Sequence, residues 1–339
     1  MKEMKNMIRN ISLSVCVALV PAITGCSKWT RPEALDLAPQ ISSLSDEYLA
    51  GIRAFKNTDH KMLVLGMDAV SGGITARYQH LMSLPDSADY IYIRNLSGGL
   101  NGILAAEIDE VREKKGTKVL ADVDYVLIEN AWNDIQDAAE AAGEEPGTQE
   151  EFESFVAGRT KAALECMDRY GCDGVMVSYT GSASASMASA GRTAFVGAVT
   201  EWWTANGGDR EFMARGYLQN IARFVDGDDA FFDLCDYLLF SVGDATSSGV
   251  ITGNVNSYTR YGVPSDRYIF EVTVPSASDP AQVGMTPSAA AGWIVTPSET
   301  EEFSKLGLCV ENAQDDYFNI GNNYANIRRA ITVLNTDTL

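Results

Sequence analysis

Asp173-Gly174-Val175-Met176-Val177-Ser178-Tyr179-Thr180 is the stretch whose reading decides the fold. Its apolar run is short, β-branched in part, and bounded by Tyr170-Gly171 on one side and the small-residue segment Gly181–Gly191 on the other. That pattern predicts a short strand buried on both faces. Side chains alternate along a strand, so positions 176, 178 and 180 share one face.

The same kind of run recurs along the chain. Met62–Asp68 (MLVLGMD), Tyr90–Asn95 (YIYIRN) and Lys118–Asp124 (KVLADVD) precede it. Phe212–Gly216, Asp236–Val242 (DYLLFSV), Arg267–Val274 (RYIFEVTV) and Leu306–Glu311 (LGLCVE) follow it. Phe212–Gly216 is the weakest of these, because Leu218–Phe224 reads as a helical continuation. Helical patterns lie between the runs. Ile103/Leu104, Ile108 and Val111 share a face closed by Gly116; Thr148-x-x-Glu151 is a capping box opening a helix with a stripe from Phe152 to Tyr170; Ile327, Ile331 and Leu334 mark a last helix. Short helices are expected around Arg77–Met82 and over Ala289–Val295, and a longer one over Phe195–Thr204, whose Trp202 and Trp203 would pack on the outside of the sheet. The segment with Tyr125 and Trp132 reads as a long acidic connection, and Asp244–Asp266 as a Ser/Gly/Asn-rich loop with Tyr258 and Tyr261. Eight strand-like runs alternating with helices predict an α/β fold, a (β/α)8 TIM barrel. A doubly wound open sheet is the alternative. No Gly-x-Gly-x-x-Gly follows a strand, so no dinucleotide site, and no cofactor, is expected.

Asp173 and Gly174 also carry a resemblance. Asp-Gly-x-x-x-x-Tyr resembles the fourth barrel strand of family 18 glycoside hydrolases, the chitinases and endo-β-N-acetylglucosaminidases, whose pattern is Asp-x-x-Asp-x-Asp-x-Glu. The remaining signature positions fall on Met176, Ser178 and Thr180. In that family the final Glu protonates the leaving oxygen, and the Asp two residues earlier orients the N-acetyl nucleophile. Methionine exchanges no proton, and serine and threonine hydroxyls are not acids near neutral pH. Loss of a positioned acid typically costs about a hundred- to ten-thousandfold in rate. The resemblance therefore implies a hydrolase-like barrel with no catalytic residue at Met176, Ser178 or Thr180. Looser similarity covers most of the rest. Cys26-Ser27-Lys28-Trp29-Thr30, Phe212–Gly216, Leu306–Tyr317 and Tyr324–Leu334 resemble family 18-like lipoproteins of the Bacteroides type. An aromatic expected near the end of the eighth strand falls on Glu311.

The first residues fit that resemblance. Lys2, Lys5 and Arg9 precede an apolar run, Ile11–Ile23, that ends in Ile23-Thr24-Gly25-Cys26. This is the pattern of an export signal over residues 1–25, too short to span a bilayer. The lipobox resemblance implies a lipid anchor on Cys26, hence attachment to the outer membrane at the cell surface. Residues 26–59 read as a tether and first helical segment, and 60–339 as the barrel.

The 339-residue chain has a net charge of −20, and loss of residues 1–25 makes it more negative. That excludes nucleic acid as a partner, since phosphate binding needs clustered Lys and Arg. Cys166, Cys172, Cys235 and Cys309 sit in apolar contexts and read as buried small residues, with a Cys166–Cys172 pair as the alternative. The two histidines, His60 and His80, have no metal-ligand spacing and sit in no nucleophile motif, so neither a metal nor a Ser-His-Asp triad is expected.

A ligand in such a barrel sits at the carboxyl ends of the strands. Asp68, Asn95, Asp122, Asp124, Ser178, Thr180, Asp244, Glu311 and Asn312 fall there. Trp132, Tyr258 and Tyr261 are the candidate stacking platforms for sugar rings. The ligand-binding set is thus Asn95, Trp132, Ser178, Thr180, Asp244, Tyr258 and Glu311. The first reading is a non-catalytic glycan-binding lipoprotein holding an oligosaccharide, N-glycan-derived chains being the ones the family implies, beside an outer-membrane glycan importer. The second is an active endo-β-N-acetylglucosaminidase whose acid has moved to Glu311 or Asp244. The third is a scaffold lipoprotein with a protein partner.

Overall fold

The computed structural model describes residues 44–180, 186–222, 230–276, 280–298, 301–318 and 322–335. The expected signal, Cys26 and Trp29 lie outside the described residues, as do 181–185 of the segment after the fourth strand and Phe224. Residues 47–339 form one compact unit.

That unit is a closed barrel of eight parallel strands in sequence order. β1 is Met62–Asp68, β2 Tyr90–Arg94, β3 Lys118–Asp124 and β4 Gly174–Tyr179; β5 is Glu211–Gly216, β6 Tyr237–Ser241, β7 Tyr268–Val272 and β8 Lys305–Val310. Each predicted strand is present, including the weakest: Gly216 ends β5, and the helix that begins at Leu218 is a separate element. Val64, Leu120, Met176, Met213, Leu239, Ile269 and Cys309 point inward and close the centre of the barrel. The alternate residues, such as Leu65, Ile93, Val177 and Phe270, face the helical layer. Full burial of side chains of this size is worth about 1.5–3 kcal/mol each.

Around the barrel run α1 (Asp46–Lys56), α2 (Gly102–Lys115), α3 (Tyr125–Ala142), α4 (Gln149–Tyr170), α5 (Ser186–Asn206), α6 (Leu218–Ala222), α7 (Ala230–Asp233), α8 (Ser248–Thr259), α9 (Pro287–Val295) and α10 (Ala325–Leu334). Their ends follow local chemistry. Gly116 closes α2 in the left-handed conformation, and Thr148 and Glu151 cap α4 reciprocally. Trp203 on α5 packs edge-on against Phe212, on the barrel exterior as expected. All four described cysteines are free and buried, so Cys166 and Cys172 are not paired.

Several expectations are corrected. The Tyr125–Trp132 connection is helix α3, which starts directly from the end of β3. Most of the Asp244–Asp266 loop is helix α8. Ile103 is 56% exposed rather than part of the buried face. The Arg77–Met82 helix is two short 3-10 turns.

One device recurs where the strands enter the barrel. Asp89 donates its backbone N–H to Leu63 O (2.9 Å) and accepts the Leu63 N–H on its carboxylate (2.8 Å). Asp173 does the same to Val119 (2.7 and 2.7 Å), and Asp236 to Phe212 (2.8 and 2.8 Å). β2, β4 and β6 are thereby each clamped at two points to the second residue of the odd strand before them. Arg112 adds a 2.6 Å ion pair to Asp173. Gly174 is needed beside it, because a Cβ there would meet Glu211 O at 2.0 Å. Ser304 bonds Ser265 O between β7 and β8, a pair that carries a register shift at Tyr268/Ile269.

Candidate functional site

At the opposite end, where the strands leave the barrel, the inward face turns polar. Strand parity fixes this: two residues beyond the inward Met213 comes Arg215, two beyond Ile269 comes Glu271, and two beyond Met176 comes Ser178. Arg215 is 2% exposed and lies at the centre. Its guanidinium donates Nε to Glu271 Oε2 (2.8 Å), and Nη2 to Glu271 Oε1 (3.2 Å) and Glu311 Oε1 (2.6 Å). The Tyr92 ring lies 5.3 Å from the guanidinium carbon. Nη1 reaches Ser178 Oγ at 3.4 Å, and Ser178 donates to Asp122 Oδ1.

The network continues outward. Arg94 Nη1 lies 3.5 Å from Glu311 Oε1, while its Nε donates to Asp68 Oδ1 (2.8 Å). Gln314 then closes on Asp68 with two bonds of 2.7 Å. One connected set of groups thus crosses the mouth from β3 through β4, β5, β7 and β8 to β2 and β1.

Two arginines face five carboxylates there: Asp68, Asp122, Asp124, Glu271 and Glu311. Burial pushes the Asp122 carboxyl up to about 7, against the pull of Arg215 and the Ser178 hydrogen bond. Its Oδ2 has no hydrogen-bond partner among the described residues. Burial also raises Asp124, which caps α3 by accepting the Val126 N–H at 2.8 Å. Burial works against the Arg215 charge as well, yet Glu271, Glu311 and Asp122 hold it well above the ordinary arginine value. The mouth therefore contains a buried ion pair and one carboxyl that keeps its proton to near neutrality.

A family model described as glycoside hydrolase family 18, BT1044-like, matches residues 30–333. The chain belongs to this family. Among solved structures, the endo-beta-N-acetylglucosaminidase from Cordyceps militaris superposes with a TM-score of 0.61 at 16% identity, over 86% of this chain and 97% of that one. A Glu-to-Gln variant of BT1044 gives 0.59 at 16% identity, over 86% and 93%. A GH18 chitinase from Pseudoalteromonas aurantia gives 0.52 at 12% identity, over 79% and 99%. At these identities the likeness concerns the fold. No curated protein matches the chain by sequence.

Within the family's fourth strand the structure separates the signature into two parts. Asp173 and Gly174, which this chain retains, stand at the entry end as clamp and close approach. Met176 is in the barrel core, fully buried. Ser178 faces inward, also fully buried, tied to Asp122. Thr180 is exposed just beyond the strand. Asn95, left-handed at φ 55°, is exposed directly after β2, and Asp244 is exposed after β6. Glu311 is partly exposed and tied to both arginines.

Two expected platforms are misplaced. Trp132 is not in a loop over the mouth: it is 8% exposed on α3, with its ring 5.4 Å from both Phe152 and Phe155. Tyr258 lies in the last turn of α8, 8% exposed, 4.5 Å from the Phe240 ring on the barrel exterior. Both are held by packing between helices and strands. Tyr261 is exposed but follows the end of α8, where the chain has returned toward the entry end. Asn312 ties a loop, bonding Val274 N and O at 2.9 and 2.8 Å. The sequence reading missed Arg215, Glu271 and Arg94. Their signal was a lone charge in an otherwise apolar strand, in register with the inward residues.

Proposed function

We propose that the protein is a non-catalytic, glycan-binding member of family 18, anchored through Cys26 at the outer membrane and presenting oligosaccharides for uptake beside a glycan importer. The observation that carries this is the exit end of β4. A core methionine, a serine locked to Asp122 and an exposed threonine occupy the signature positions, and none can protonate a leaving oxygen. Asn95, Thr180, Asp244, Glu311 and Asp68 surround the mouth as hydrogen-bonding contacts for sugar hydroxyls. The Cordyceps militaris enzyme has been solved, as a double mutant, in complex with fucosyl-N-acetylglucosamine-Asn, which supports N-glycan fragments as the first ligands to try.

A second reading is an active hydrolase with a displaced acid. Asp122 favours it, as a carboxyl protonated near neutrality one strand away from the signature; its burial opposes it, since a donor must reach the glycosidic oxygen. Glu311, by contrast, has its Oε1 engaged by two guanidiniums.

The test uses the protein with a high-mannose N-glycan and a chitooligosaccharide series, following binding heat and new reducing ends together. Heat without product is the expected result. Product that disappears in Asp122→Asn establishes the hydrolase instead. Absence of heat with every glycan moves the protein to the scaffold reading.

A further inference from the structure

A cavity of about 690 Å³ opens at the entry end of the barrel, opposite the mouth. This is within the size range of small-molecule sites, about 300–1,000 Å³. Its floor is apolar and aromatic: Met62, Tyr90, Tyr237 and Leu306. The two tyrosine rings lie 6.1 Å apart, and the floor backs onto the side chains that fill the barrel.

The rim has the opposite charge to the molecule. In a chain of net charge −20, this lining carries Arg53, Lys56, Lys61 and Lys118 against Asp59 and Asp89. Asp89 is already occupied, with one oxygen 3.0 Å from His60 Nε2 and the other on Leu63 N. Lys118 pairs with Glu211. Among the described residues, the other three cations hydrogen-bond only to neutral acceptors. Arg53 Nη1 donates to Lys114 O (2.6 Å) and Lys61 Nζ to Lys305 O (2.7 Å). Lys56 Nζ donates to Thr117 Oγ1 (2.8 Å) and to Ala88 O. Burial lowers the Lys56 ammonium to about 8, with Asp89 pulling the other way. A half-buried cation without an ion-pair partner is costly, and an anion beside it removes that cost.

We infer that this cavity is a binding site for a small organic anion: a phosphate or carboxylate group held by Lys56, Lys61 and Arg53, with a ring-sized apolar body lying against Tyr90, Tyr237 and Leu306. The site is separate from the mouth and does not depend on the glycan reading. Charge-assisted hydrogen bonds would fix the anionic group, and the apolar floor would select its body.

Titration calorimetry on the purified protein tests this with four probes: phenyl phosphate, benzoate, inorganic phosphate and benzyl alcohol. One phenyl phosphate or benzoate per chain is expected, whichever head group proves tighter. Inorganic phosphate and benzyl alcohol should each bind at least about tenfold more weakly, since each offers only half of the interaction. Lys56→Met and Lys61→Met should each weaken the aromatic anion by about tenfold, the loss of one charge-assisted hydrogen bond. Leu306→Trp, which fills the cavity, should abolish binding and keeps the test alive if Lys56→Met does not fold. The inference is overturned if neither aromatic anion binds at millimolar concentration, if inorganic phosphate or benzyl alcohol binds equally well, or if the folded variants bind unchanged.

Discussion

At the entry end of β4, Asp173 grips Val119 at two points and Gly174 lets the Glu211 backbone pass. At the exit end, Ser178 is tied to Asp122 and Thr180 faces solvent. One strand thus carries both halves of the family signature, and they have fared differently. The half that remains is demanded by the backbone of neighbouring strands, whether or not a reaction occurs. The half that departs from the family pattern, Met176, Ser178 and Thr180, runs from the barrel core to the mouth, where the proposed ligand would sit. A retained signature residue therefore says nothing about activity until its end of the barrel is known.

The largest effect is expected at the mouth. Arg215→Met leaves Glu271 buried and unpaired, and should lower unfolding free energy by about 3–5 kcal/mol. Chemical denaturation measures it. The double variant Arg215→Met/Glu271→Leu should recover most of that loss; a double variant as unstable as the single one would show that the pair is not the reason. Next comes the entry end. Asp173→Ala strands the Val119 N–H and should cost about 1–3 kcal/mol, as should Asp89→Ala at Leu63. Glycan binding at the mouth should be unchanged in both. A loss of glycan binding with stability intact would place Asp173 in function rather than in the frame.

The third effect depends on pH. Asp122 keeps its proton in the folded protein up to about 7, whereas the unfolded chain releases it near the ordinary aspartate value. The unfolded state therefore binds fewer protons between those pH values, and stability falls as pH rises, by at most about 1.4 kcal/mol per pH unit for this one group. The contribution is whole at acid pH and gone above about 7. Asp122→Asn should flatten the slope between pH 4 and 7 without erasing it, because Asp124 is displaced in the same direction. An unchanged slope would mean that Asp122 ionises freely. The smallest effect is at Asp124 itself: its loss as a helix cap in Asp124→Ala should cost about 1 kcal/mol.

Much of the frame was readable in the sequence because apolar runs of strand length leave few choices. β3 was predicted to the residue, and the inward parity of Met176 and Ser178 follows from alternation alone, whereas Thr180 lies beyond the strand and is exposed. The missed helices have physical reasons. α3 begins with no intervening loop, since Asp124 both ends β3 and caps the helix. α8 is poor in helix formers, with glycines, asparagines and serines, and is held by burial of Ile251, Val255 and Tyr258 along one side. Trp132 and Tyr258 were placed wrongly as a consequence. The ion pair was out of reach for another reason: Arg215 and Glu271 are 56 residues apart, and only barrel closure brings them together.

The aspartate clamps have a bearing on how the chain can be rearranged. They fasten β1 to β2, β3 to β4 and β5 to β6; the seams between those pairs carry no such aspartate clamp among the described residues. A circular permutant opened at Gly208, in the β4–β5 connection, keeps each clamped pair within one continuous segment. One opened at Gly143 divides the β3–β4 pair between the two chain ends. Recombination with another member of the family should likewise succeed where the crossover falls on a seam. The unit that can be exchanged in this barrel is two strands with the helices between them, not one.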